Sequence, residues 1–217
     1  MSFSLNALFS LSIGIGAIIC WVRYKRTDPA FVPFIWLLSF GLLNEITSIS
    51  IMHAGHSNAI NYNLFALIES LLVTWQFRRW GLFNQQLKLY YFLQLLYPVA
   101  LGVEWLASPP ERVFNSYFFI GHSIIIVLMS ISQINRLLFS LSRNMGREPV
   151  FLICMGLAIY FTYTVLVEVF WVYGLNQSKV FRLGIYEILS YVNLFTNLLF
   201  AFASLWMPLK SQYIMRS

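Results

Sequence analysis

The chain reads as all-α, a polytopic membrane protein built as a seven-transmembrane-helix bundle. Three observations predict this class. First, 59% of the 217 residues are hydrophobic and only 10% are charged, whereas a soluble domain carries about a quarter charged residues. Second, the mean hydropathy is +0.71, and 20 Phe with 12 Tyr exclude a disordered chain. Third, the apolar residues fall into seven runs close to the roughly 20 residues a membrane-crossing helix needs. A transmembrane β-strand would alternate apolar and polar positions over about ten residues. The run Ile124-Ile125-Ile126-Val127-Leu128-Met129 does not alternate.

The first span covers residues 4–22. No basic residue precedes it and Arg23, Lys25 and Arg26 follow it, so it reads as an anchor with its N-terminus outward rather than a cleavable leader. The second covers 31–52 and ends at His53-Ala-Gly-His56. The third, 60–77, is the shortest and carries Asn63 and Glu69. The fourth, 89–107, holds Pro98 in mid-span, where a kink is expected. The fifth, 113–134, follows the Pro109-Pro110 turn; the sixth, 150–173, begins after Pro149; the seventh is 183–206. Between the fifth and sixth, Asn135–Glu148 mixes apolar and basic residues. It reads either as a short helix lying on an anionic membrane surface or as a plain continuation of the fifth helix. The whole of 1–217 is expected to be one integral-membrane domain.

Basic residues in short loops set orientation. Arg23, Lys25, Arg26, Arg78, Arg79, Lys88, Arg136, Arg143, Arg147, Lys210 and Arg216 fall on one side, and only Arg112, Lys179 and Arg182 on the other. This bias places the N-terminus outside and the C-terminus in the cytoplasm, and it suits a bacterial cytoplasmic membrane. It also accounts for the net charge of +6. The lysines and arginines are topology signals, and no folded basic surface exists for nucleic acid. Cys20 and Cys154 are expected to be packing residues rather than a disulfide or metal ligands.

The acidic residues carry the functional information. Glu45, Glu69, Glu168 and Glu187 lie within spans, and no Lys or Arg occupies a span interior to pair with them. An ionised side chain at helix centre costs about 2.5–3.5 kcal/mol on insertion scales. These carboxyls must face the bundle interior, hold a proton, or bind something positive. The topology puts Glu69 near the midplane and the other three in the outer half. His122, midway along the fifth span, is a candidate proton partner for them.

Helical spacing groups these residues with other polar side chains. Tyr160, Thr164 and Glu168 recur every four residues in the sixth span. Tyr186, Ser190, Asn193 and Asn197 form a stripe in the seventh with Glu187 at its edge. Asn63, Ala66 and Ser70 line one side of the third beside Glu69, and Asn44, Glu45 and Ser48 cluster in the second. Taken singly, Asn and Ser often serve as interhelical glue worth about 0.6 kcal/mol each. Four glutamates fit that role poorly, because Gln would do the same without an ionisation cost. The candidate substrate- or ion-binding set is therefore Glu45, Glu69, His122, Glu168, Glu187, Asn44, Tyr160 and Asn193. A metal is left open: His53 and His56 share a short loop, and His122 with Glu45 and Glu69 is a conceivable buried set. No cofactor is expected.

Several seven-helix classes do not fit. A retinal pigment needs a lysine in the seventh helix, and residues 183–206 contain none. Seven-helix lipid hydrolases of the lysoplasmalogenase and ceramidase kind need several His and an intramembrane Asp, which three His and no such Asp cannot supply. Facilitators built as three plus one plus three helices match the topology, since spans 1–3 and 5–7 run in the same directions. The only internal echo, Asn63-Leu64-Phe65 against Asn193-Leu194-Phe195, is too short to establish a repeat.

The leading expectation is a small transporter or facilitator for a proton, cation or cationic small molecule, through an outward-facing carboxylate-lined pocket. The second is a ligand sensor or scaffold signalling through a partner protein, or through a homo-oligomer. The third is a lipid-modifying enzyme using Ser70 beside Glu69 or Ser123 beside His122. Neighbouring helical residues point about 100° apart, so neither pair is a ready dyad.

Overall fold

The computed structural model describes residues 3–107, 115–140, 145–173 and 178–209. Among them eight α-helices form: α1 (Phe3–Leu11), α2 (Ile13–Arg23), α3 (Val32–His53), α4 (Ala59–Arg79), α5 (Leu87–Ala107), α6 (Ser116–Ser140), α7 (Pro149–Val172) and α8 (Lys179–Trp206). No strand occurs among the described residues; Thr27 and Leu209 share one isolated bridge. Six stretches are long and apolar enough to cross a membrane: Leu5–Arg23, Pro29–His53, α5, Ser116–Phe139, α7 and Gly184–Trp206.

The helix α4 matches these in length but not in apolarity. Its buried face runs Asn63, Ala66, Ser70, Val73-Thr74 and Phe77, at the three- and four-residue spacing of one helical side. Its polar groups thus point inward, where other helices satisfy them. Asn63 Oδ1 accepts from the Asn115 amide at 3.2 Å, and Thr74 meets the Tyr97 hydroxyl at 3.2 Å. Gln76 spans two elements: its Oε1 accepts from the Phe34 amide at 2.8 Å and its Nε2 donates to the Ala30 carbonyl at 2.7 Å. The Phe34 amide is one of the donors that the first turn of α3 cannot satisfy internally.

The first span departs from expectation by breaking at Ser12. The Ser12 amide donates to Phe9 O and the Ile15 amide to Ser12 O, both three residues back, and the Ser12 hydroxyl also donates to Phe9 O. A serine hydroxyl competing for its own helix's carbonyls explains the local tightening. The fifth span takes one of its two expected forms. The helix α6 continues through Asn135 to Ser140, so this stretch extends the span and is not a separate surface helix; 141–144 lie outside the described residues. Pro109-Pro110, Glu111, Arg112, Arg143, Lys210 and Arg216 lie outside them too. The helix α5 runs through Pro98 as one element.

Neighbouring helices pack in the cycle α2–α3–α4–α6–α7–α8 and back to α2, with α1 against α3 and α8. The helix α5 stands outside this ring, on α4 and α6. Close approach of α7 and α8 depends on Gly156, where an added Cβ would lie 2.7 Å from the Phe200 ring. At one end the ring is filled by apolar side chains: Phe34, Leu38, Phe77, Ile153, Phe200 and Ala203 are all buried, and the Phe34 and Phe200 rings meet edge-to-face at 5.3 Å. The same end is clasped. Arg23 donates to the carbonyls of Ser204, Leu205 and Met207, and the Asp28 amide donates to Pro208 O. A guanidinium on the last carbonyls of α8 satisfies acceptors the helix leaves open and complements its dipole. Cys20 and Cys154 are free and buried, and Cys20 Sγ contacts Ser204 Oγ at 3.1 Å.

Candidate functional site

Two adjoining cavities occupy the interior of the ring. The wider, about 270 Å³, is lined from α1, α3, α4, α7 and α8 and includes Glu45 and Glu168. It reaches the helix ends where Met52, Trp171 and Tyr186 are exposed. The narrower, about 50 Å³, lies beneath it and includes Glu45 and Glu69. Ser10, Glu45, Tyr160 and Asn193 line both and form the collar between them. The narrow cavity ends on Leu37, Leu38, Leu157 and Phe200, the apolar filling of the clasped end.

Each functional side chain is placed by helix register. Asn44, Glu45 and Ser48 sit within about one turn of each other on α3. Buried Asn44 accepts at Oδ1 from Asn61 Nδ2 (2.8 Å), which also reaches Ser48 Oγ at 2.9 Å. This bond ties α3 to α4 where both border the wide cavity. The Glu45 carboxylate accepts from the Ser10 hydroxyl. Glu69 lies within electrostatic reach of Glu45. Tyr160 and Tyr62 are joined through their hydroxyls, and Tyr62 is within electrostatic reach of Glu45, Glu69 and Glu168 together. Glu168 accepts from the Ser116 hydroxyl of α6, while its Oε2 is buried without a partner. Thr196, 2% exposed, lines the narrow cavity and its Oγ1 likewise has no partner.

The structure thus brings together Glu45, Glu69, Glu168, Asn44, Tyr160 and Asn193, and leaves two candidates apart. His122 does not join the carboxylates. It is 2% exposed on α6, its Nδ1 bonds the Phe118 carbonyl at 2.9 Å, and Phe118, Phe119 and Phe161 enclose its ring. Phe161 stands between it and the narrow cavity, which Phe161 also lines. His122 borders instead a separate, mostly apolar cavity of about 490 Å³ between α5 and α6. Glu187 is half-buried and lines neither ring cavity, although its neighbours Tyr186 and Ser190 line the wide one. Glu104, at the span edge, serves the fold itself. Its carboxylate accepts from the Tyr117 and Phe118 amides at the start of α6, where the helix dipole favours a negative charge.

Sequence reasoning missed Asn6 and Ser10, Tyr62, Trp171 and Thr196 as lining residues. Some of the signal was present. Asn6 and Ser10 are four apart on one face of the first span, and Tyr62 is seven residues, two turns, before Glu69. Ser70 donates to its own helix at Ala66 O (2.6 Å), and neither Ser70 nor Ser123 lines any of these cavities. Among the described residues no three His, Cys, Asp or Glu gather as a metal site; His53 and His56 are exposed at the end of α3 and beyond. Compared with protein-family models, curated proteins and solved structures, the chain matches none.

Proposed function

We propose that this protein is a small transporter or facilitator for a proton, cation or cationic small molecule, working through the two ring cavities. One observation carries the reading. Three carboxylates line the joined cavities, and among the described residues no Lys, Arg or His does. A cleft of one sign with low-dielectric walls concentrates ions of the opposite sign. Like-charged carboxyls sharing such a space are relieved either by a bound cation or by a proton held between them.

In this reading α4 is the seventh span, its inward polar face shielded by its neighbours. The positive-inside bias puts the wide mouth outside and the Arg23 clasp at the cytoplasmic face of a bacterial membrane. The two triplets α1–α2/α3/α4 and α6/α7/α8 flank the cavities, as in carriers whose repeats meet at a central site. The apolar floor is then the inner gate. That floor equally suits a ligand sensor signalling through a partner protein, and co-purification of a stoichiometric partner would favour it.

The test is uptake into proteoliposomes, with internal pH and cation concentration followed together. The Glu45→Gln, Glu69→Gln double variant should fold and lose flux at least tenfold. Unchanged flux of an identified substrate in that variant would sink the mechanism.

A further inference from the structure

We infer that the wide cavity is a binding site for an organic ammonium ion bearing an N–H or O–H donor; this rests on the cation reading above and gives its ligand class. Tyr62, Tyr160, Trp171 and Tyr186 line the same space as Glu45 and Glu168. Trp171 and Tyr186 brace one another edge-to-face, with ring centroids 6.2 Å apart at 87°. Aromatic faces attract alkylated nitrogen through the ring quadrupole.

Four further features point to this ligand. The cavity, about 270 Å³, far exceeds the roughly 10–15 Å³ that admits one water. The narrow cavity below, about 50 Å³, holds only a few waters, so an organic ligand stops at the collar and only protons, water or a small ion reach Glu69. The carboxylates are spread around the walls and do not converge as metal ligands, among the described residues. A diffuse charge suits a bulky cation of low charge density. Finally, the buried Glu168 Oε2 has no donor. A ligand hydroxyl or ammonium N–H supplies one, which a fully methylated ammonium cannot.

The experiment is a thermal-stability and tryptophan-fluorescence titration of the purified full-length chain in detergent. Choline, tetramethylammonium and sodium chlorides are compared at matched ionic strength. Choline should stabilise saturably, tetramethylammonium less, and sodium not at all. Trp171→Leu and Tyr186→Leu should each weaken choline binding roughly 2- to 5-fold, and Trp171→Phe, which keeps a π face, should largely restore it. Equal responses to sodium and choline, or leucine variants that bind choline like the parent, would overturn the inference. If those variants are neutral while Glu45→Gln abolishes every cation response, the ligand class is wrong and the cation site stands. No response to choline overturns the ligand class, and failure of the flux test is what overturns the transport reading.

Discussion

At the scale of single residues, the interior separates polar groups used for structure from polar groups left for something else. Gln76, Asn63, Asn61 and Glu104 are each spent on a named partner in another element. Glu168 Oε2 and Thr196 Oγ1 are not, and both belong to residues that line the ring cavities. This division was only half legible in the sequence. An intramembrane Glu announces itself because Gln would be cheaper, whereas a buried Gln or Asn looks the same whether it bonds a helix end or a ligand. His122 shows the limit: it sits near the start of α6 rather than midway along the span, and its ring lies among phenylalanines and away from the carboxylates. The residues spent on structure yield a sharp prediction. Gln76→Leu strands the Phe34 amide and the Ala30 carbonyl and should cost roughly 1–3 kcal/mol, read as a lowered melting temperature in detergent. Gln94→Leu, which gives up only one bond to the Leu71 carbonyl at 3.2 Å, is the control and should move it less.

Among the helices, hydropathy located six long apolar stretches, because runs of apolar residues are what the bilayer demands, whereas α4 is as long but less apolar. The second span, expected at 31–52, is Val32–His53, and the sixth, expected at 150–173, is Pro149–Val172. Helix limits were less legible where a helix obeys something other than the hydrocarbon thickness. The helix α6 runs on past Ile134 into Asn135–Ser140, the continuation the sequence left open, since nothing there breaks a helix. The break at Ser12 comes from a hydroxyl, which hydropathy does not see. Packing between helices was not legible at all, and Gly156 is the case in point. Gly156→Val drives its side chain into the Phe200 ring and should destabilise by about 1–3 kcal/mol. Adding Phe200→Leu should recover part of that loss, so a double-mutant cycle by thermal melting should give coupling of roughly 0.5–3 kcal/mol. Strict additivity would show that α7 and α8 do not meet there.

Across the whole molecule, a ring with one helix outside it explains why so polar a set of residues tolerates a membrane. Polar residues of α1, α3, α4, α7 and α8 converge on a space closed at one end by Phe34, Phe200 and their neighbours. The convergence follows from closure, and Arg23 with the Asp28–Pro208 bond fastens the first helix pair to the last. Neither the closure nor the clasp is written in any local pattern. Arg23 in the sequence is one more positive loop residue; its three carbonyl partners are 181 to 184 positions away.

The solitary position of α5 has a consequence for how the protein is assembled. In the proposed seven-span arrangement it is a parity element: one extra crossing would let α6, α7 and α8 enter the bilayer in the same sense as the first three spans. Excising residues 87–107 and rejoining the flanks would therefore not yield a trimmed version of the same bundle. On that proposed topology the last three helices would be threaded upside down, with Trp171 facing the cytoplasm and the end of α8 facing out, against the charge bias of their own loops. A reporter fused after α8 should switch compartments or show mixed insertion in that deletion. Exchanging α5 for an unrelated hydrophobic helix should instead restore a single orientation.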